Sequence, residues 1–226
     1  MRLLAAVLLS LAALPVSAKE LTVSAAASLK DAFQEISAQY QRQHPGVTVR
    51  LNTAGSGALV QQLRQGAPVD VLATADQVSM DKAAENKSID GATRKTFVRN
   101  DLVLVVPKNS KLRLQSPANL KQSGVKRIAL SNPDSVPAGR YAKAALSKAG
   151  LFDALKPKLI TTQSVRQSLD YVARGEVDAG FVYRTDAALM ANKVSISATV
   201  PPDTPVSYPI AVAANSRDKA EARRFV

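Results

Sequence analysis

Three observations in the sequence predict an α/β protein of two lobes, each a mostly parallel sheet flanked by helices, with two crossover strands joining them. Apolar runs that read as strands are each followed by a helical stripe, a pattern that lays the strands parallel and puts helices on their faces. The alternation breaks at Asn100-Asp101 and then restarts, so two βα blocks follow one another. Two long apolar runs, Leu102 to Val106 and Val206 to Ala213, lead into Asn109-Ser110 and Asn215-Ser216. They echo each other as the strands that carry the chain out of the first lobe and back.

In the first block Leu21 to Ala26 reads as a strand, and Leu29 to Arg42 as a helix with an apolar stripe at Leu29, Ala32, Phe33, Ile36 and Tyr40. Val47 to Leu51 is the second strand, Ala58 to Gln65 a helix stopped by Gly66, Val69 to Ala73 the third strand, and Gln77 to Asn86 a helix. In the second block strands over 127–130, 158–161 and 178–182 alternate with helices over 139–148 and 165–174. Lobe 1 is therefore expected to span 19–100, completed by 206–226, and lobe 2 to span 101–205. The chain stops at Phe225-Val226 inside a helical pattern that begins near Asp218, so a shortened chain is the expectation.

Residues 1–18 read as a secretory leader: Arg2, an apolar core from Leu3 to Leu14, then Pro15-Val16-Ser17-Ala18 with small residues for cleavage after Ala18. The apolar run is too short to span a membrane. The formal charge is +12, of which Arg2 leaves with the leader. The remaining Lys and Arg are scattered, which together with export argues against nucleic acid and for solvated surface charge with modest steering of anions. No cysteine occurs, so a disulfide framework, a thiolate nucleophile and a lipidated cysteine anchor are all excluded.

Four strand-to-helix turns carry the chemistry: Ala25-Ala26-Ala27-Ser28-Leu29, Ala54-Gly55-Ser56-Gly57-Ala58, Val136-Pro137-Ala138-Gly139-Arg140 and Gln163-Ser164-Val165-Arg166. A helix start leaves its first N–H groups without intrahelical acceptors and carries partial positive charge, so a small oxyanion can be held there without Lys or Arg. In a doubly wound sheet such turns gather at the carboxyl ends of the strands. Each turn also has an ordinary reading. Ser28 with Asp31, and Ser164 with Gln167, fit capping boxes, and Pro137 fits a first helical position. Gly55 and Gly57 around Ser56 suggest close backbone approach to a ligand with unusual dihedrals. Tyr183 closes a predicted strand and could donate to an oxyanion or pack as a core tyrosine. Asp70 and Asp76 read as caps and inter-segment acceptors, because carboxylates repel an anion. Arg140 and Arg166 read as bystanders.

Catalysis is poorly provided for. His44 is the only histidine and sits before Pro45-Gly46, so neither a triad nor a histidine metal site can be assembled. Glycine patterns for dinucleotides or nucleoside triphosphates are absent.

At these residues the chain resembles the periplasmic molybdate-binding proteins of ABC importers, which have the type II periplasmic-binding-protein fold. The resemblance rests on the order and spacing of Ala-Ala-Ala-Ser-Leu, Gly-Ser-Gly-Ala-Leu, Gly66-Ala67-Pro68-Val69-Asp70-Val71 with Ala75-Asp76, Val136 to Ala142, Ser164-Val165-Arg166 and Val182-Tyr183. It implies an exported, monomeric, non-enzymatic carrier that captures molybdate and tungstate in the periplasm and hands them to an inner-membrane permease with a cytoplasmic ATPase. It implies as ligand donors the Ser28 and Ser56 hydroxyls from lobe 1, and from lobe 2 the Ala138 and Val165 amides with the Tyr183 hydroxyl. The metal would be touched only through its oxygens, and no cofactor is implied. Members of that family continue for about another helix beyond the equivalent of Val226. The alternatives are a carrier of sulfate, thiosulfate or phosphate and, in another class, an exported phosphate or sulfate ester hydrolase.

Overall fold

The computed structural model describes residues 19–226; the leader and its cleavage point lie outside the described residues. The first block runs β1 (Lys19–Ala26), α1 (Lys30–Gln43), β2 (Val47–Ala54), α2 (Ser56–Arg64), β3 (Val71–Ala73), α3 (Gln77–Glu85) and β4 (Lys95–Asn100). The second runs β5 (Leu102–Pro107), β6 (Ile128–Ser131), α4 (Pro137–Lys148), α5 (Phe152–Leu155), β7 (Leu159–Thr162), α6 (Val165–Ala173), β8 (Ala179–Tyr183), α7 (Arg184–Leu189) and β9 (Val194–Thr199). The chain then returns through β10 (Val206–Val212) and ends in α8 (Lys219–Phe225).

Two five-stranded sheets result, ordered β2-β1-β3-β10-β4 and β7-β6-β8-β5-β9. The βα part of each is parallel: β1 pairs with β2 and β3, and β6 with β7 and β8. The strand arriving from the other lobe enters antiparallel, β10 on β3 and β5 on β8, which makes each sheet mixed. Its outer neighbour, β4 or β9, is antiparallel to it and forms the edge. The two apolar runs expected to carry the crossings each lie wholly in one sheet. The chain passes between the sheets just before them, at Asn100–Leu102 and across residues 200–205.

Burial explains the sequence pattern. Leu102 to Val106 is buried throughout because helices cover both faces of an inner strand, which therefore needs no polar alternation. In α1, Phe33 and Tyr40 face the core, whereas Ile36, a member of the predicted stripe, is 43% exposed and lies off the buried face. Four elements were not among those predicted: β4, β9, α5 and α7. β4 is exposed over nearly its whole length, so its sequence carries no buried-face pattern. α5 and α7 are too short for a helical period to register.

Gly139, in the first turn of α4, fixes how closely that helix sits on β6. A Cβ there would lie 2.0 Å from the carbonyl oxygen of Ser131. Neither backbone can yield that distance without moving the helix start. Gly139→Ala is expected to lower the unfolding free energy by at least about 2 kcal/mol, read as a lowered midpoint in urea denaturation.

Candidate ligand-binding site

The five residues expected to donate to a ligand line one small cavity between the lobes, together with Ala26, Gly55, Pro137 and other small residues. It offers about 10 Å³ to the centre of a water-sized sphere, space on the scale of a single small ion. Among the described residues, no charged side chain lines it.

Each expected donor lies at the end of a helix or strand or in the turn before a helix. Ser28 lies in a 3-10 turn, Ala27–Leu29, that precedes α1. The predicted Ser28–Asp31 capping box does not form, because the turn displaces Ser28 from the cap position and leaves α1 without a side-chain cap. The Ser28 oxygen instead accepts from the Tyr208 hydroxyl at 3.2 Å, and the Tyr208 oxygen accepts from Asn100 Nδ2 at 3.2 Å. Ser56 opens α2, is fully buried, and its oxygen accepts the Ala75 N–H at 3.0 Å. Both serines thus have an acceptor lone pair occupied and keep their hydroxyl protons for donation.

On the second lobe Pro137 takes the first position of α4, as expected, and the first amide of that helix to reach a carbonyl is Arg140, on Val136 at 3.1 Å. The Ala138 N–H precedes it and has no intrahelical acceptor by position. Val165 is the first residue of α6. Ser164 caps that helix by accepting the Gln167 N–H at 3.2 Å, but the reciprocal arm goes elsewhere: Gln167 Oε1 accepts from Gln163 N at 2.7 Å. Tyr183 ends β8, is buried, and its hydroxyl has no hydrogen-bond partner among the described residues. An orphan hydroxyl in a buried, otherwise apolar spot is costly and calls for a partner supplied from outside the chain.

The glycines have a different role from the one expected. A Cβ on Gly57 would lie 2.6 Å from the Ser135 carbonyl oxygen, and one on Gly55 would lie 3.0 Å from that of Gln163 and 3.1 Å from Val136 Cγ2. All three contacts come from the opposite lobe. Gly55 also has an ordinary φ of −60°. The close approach at both glycines is therefore that of the second lobe, although Gly55 also lines the cavity, and Gly57 N donates to Ser135 O across the cleft at 2.8 Å.

Asp70 and Asp76 act as expected. Asp70 accepts from Thr22 N, Ser216 Oγ and Arg217 N, and Asp76 caps α3 through Ser79 N. Asp76 also pairs with Arg140 of the other lobe at 2.7 Å, and Arg166 pairs with Asp31 across the cleft at 2.6 Å. These two arginines do not line the cavity, yet they are not bystanders. Tyr208, which orders Ser28 and meets the Tyr183 ring edge-on at a centroid distance of 5.8 Å, was also missed. A tyrosine inside an apolar run gives no sequence signal of such contacts.

Burial holds the phenols around the cleft neutral. Tyr183 and Tyr208 are both raised above the usual phenol range by desolvation, and Tyr141 is pushed up to about 12 by burial and by Asp76. A neutral phenol remains a donor, which is the form an oxyanion needs.

Residues 21–226 match the family described as bacterial extracellular solute-binding protein. The molybdate-binding protein ModA of Escherichia coli K12 is 43% identical over 201 residues, covering 85% of this chain and 77% of that protein. Its counterpart in Haemophilus influenzae is 36% identical over 215 residues, covering 92% and 83%. Among solved structures, the periplasmic molybdate-binding protein of Azotobacter vinelandii superposes with a TM-score of 0.78 at 26% identity, covering 91% of this chain and 90% of that one. A sulfate-binding protein from Mycobacterium tuberculosis shares the fold at a TM-score of 0.77 and 17% identity, covering 92% and 81%.

The raised phenols set the alkaline limit of stability. Their pKa is higher folded than unfolded, so the unfolded chain loses these protons first, and stability falls as pH rises past about 10. Urea midpoints should hold to about pH 9 and then drop, with phenolate absorbance from the buried rings appearing together with unfolding. Free titration of all five tyrosines near pH 10 in the folded protein would contradict this assignment.

Proposed function

Because the chain belongs to the bacterial extracellular solute-binding proteins, we propose that it captures molybdate, and tungstate with it, and delivers them to an ABC importer. The Tyr183 hydroxyl carries this reading: it is a buried donor with no partner, in a cavity where two serine hydroxyls and two helix-start amides also converge. The likeness to molybdate-binding proteins over most of their length supports the choice of ion. Ser28, Ser56 and Tyr183 donate through hydroxyls and Ala138 and Val165 through backbone N–H groups, so the metal is met only through its oxygens. Hydrogen bonds to a charged partner contribute about 1.5–3 kcal/mol each, which several converging donors multiply in a dry site. Sulfate carries the same charge and shape, so size decides between them: in a pocket set for longer metal–oxygen bonds, sulfate leaves donors unsatisfied.

The protein acts in the periplasm after removal of the leader behind Ala18, as a free monomer that docks on an inner-membrane permease driven by a cytoplasmic ATPase. Lobe 1 comprises 19–100 with 206–226 and lobe 2 comprises 101–205. The two meet over the ion by rigid closure about the two crossings. Its work is capture and release, with no bond made or broken in the cargo.

Calorimetric titration of the mature chain with molybdate, tungstate, sulfate and phosphate tests the reading. Heat with the first two and none with the others is expected; binding of sulfate without molybdate would overturn it. Tyr183→Phe should weaken molybdate binding by about tenfold to a hundredfold while leaving the ligand-free melting temperature unchanged or higher, because an unsatisfied hydroxyl is removed. Ser56→Ala should weaken binding and also cost about 1–3 kcal/mol of stability, since it strands the buried Ala75 N–H. A Tyr183→Phe variant that titrates like the wild type would take Tyr183 out of the site.

A further inference from the structure

Arg140 and Arg166 lie two residues and one residue beyond the lobe 2 amide donors Ala138 and Val165, yet neither reaches the cavity. Each is anchored in its own lobe and sets its remaining guanidinium nitrogens against the other, Arg140 through hydrogen bonds and Arg166 through an ion pair. Arg166 Nε donates to the buried Asp186 at 2.6 Å, and its Nη2 lies 2.6 Å from Asp31 Oδ2 on α1. Arg140 Nη1 donates to the carbonyls of Pro133 and Asp134 at 3.3 Å, while Nε reaches Asp76 at 2.7 Å and Nη2 reaches Ser79 Oγ at 2.7 Å, both on the first lobe. Both guanidinium side chains are only 20% exposed.

We propose that Arg140 and Arg166 are a pair of latches that hold the lobes shut over the ligand, positioning residues that govern retention without touching the ion. The placement gives the reason. Each latch follows its amide donor on the same helix start, so the movement that brings Ala138 or Val165 onto a ligand also brings the guanidinium onto its lobe 1 acceptor. The carboxylates Asp31, Asp76 and Asp186 outnumber the two cations, so no net positive charge near the cleft holds the anion. The charged pairs are made only when the lobes meet, and their contribution falls on release rather than on encounter. The identity of the ion rests on the function proposed above; closure by the latches does not.

The first-lobe partners are the clean places to test this, because removing Arg166 would strand the buried Asp186. Asp31→Asn and Asp31→Lys remove and then reverse one acceptor, Ser79→Ala trims the other latch, and Asp31→Glu is the conservative control. The natural chain has no cysteine, so spin labels on Glu85→Cys and Ala144→Cys report the distance across the cleft without background. With and without molybdate, the fraction at the short, closed distance should fall in the order wild type, Asp31→Asn, Asp31→Lys in whichever condition the wild type populates it. Asp31→Glu should restore it. In a chase of labelled molybdate, release should quicken about threefold to tenfold for Asp31→Asn and more for Asp31→Lys, with association and the ligand-free melting temperature little changed.

An unaltered closed fraction in Asp31→Lys combined with Ser79→Ala overturns the latch, as does a wild type that never populates the closed distance. A wild type that closes but ignores molybdate overturns the proposed cargo and leaves the latch to be decided by the distances alone.

Discussion

Backbone N–H groups that no carbonyl of their own helix can reach set the terms for this molecule. A helix start must find acceptors for its first amides outside itself, and here α2, α4 and α6 all start at the cleft. One such demand is met within the protein: Gly57 N–H reaches Ser135 O on the other lobe. Ala138 and Val165 present theirs to the cavity. The βα topology makes this unavoidable, because parallel strands feed their helices from one end of the sheet, and two sheets facing each other at those ends enclose the unpaired donors between them.

Closure then imposes its own sequence requirements. The approach of Ser135 and Gln163 to the start of α2 leaves no room for a side chain, so Gly55 and Gly57 belong to the interface between lobes. Gly139 answers the same kind of demand inside lobe 2, where α4 presses onto β6. Tyr208, on the returning strand, meets the Tyr183 ring from the other lobe and orients Ser28, so the strand that reunites the chain with lobe 1 also shapes the floor of the cleft.

The parallel half of each sheet was legible because buried parallel strands and amphipathic helices leave period and composition in the sequence. The edges were not: Lys95–Asn100 is a strand only because β10 lies beside it, and nothing in its exposed side chains records that pairing. The cavity was legible as four helix starts because turn chemistry is local. What escaped was everything made across the cleft. Gly57 looked like a ligand contact, Asp31 like a cap and Arg140 like a bystander, since no local pattern states which backbone will arrive opposite them. Ser28 shows the same limit: one extra 3-10 turn, invisible in the spacing Ser-x-x-Asp, converts a cap into an acceptor for the Tyr208 hydroxyl.

Neutral donors divided between two lobes make affinity conditional on shape. A fixed cation in the cleft would attract an anion in the open form as well as the closed one, and prying the lobes apart would not release it. Hydroxyls and amides act over hydrogen-bond distances only, so in the proposed site separating the lobes would remove the second-lobe donors in a single motion. The proposed latches extend this logic, because their pairs to Asp31 and Asp76 would break with the same movement. On the proposed mechanism, a partner that binds the open arrangement better than the closed one would empty the site without competing for the ion, and its differential affinity would set the limit on how completely it does so.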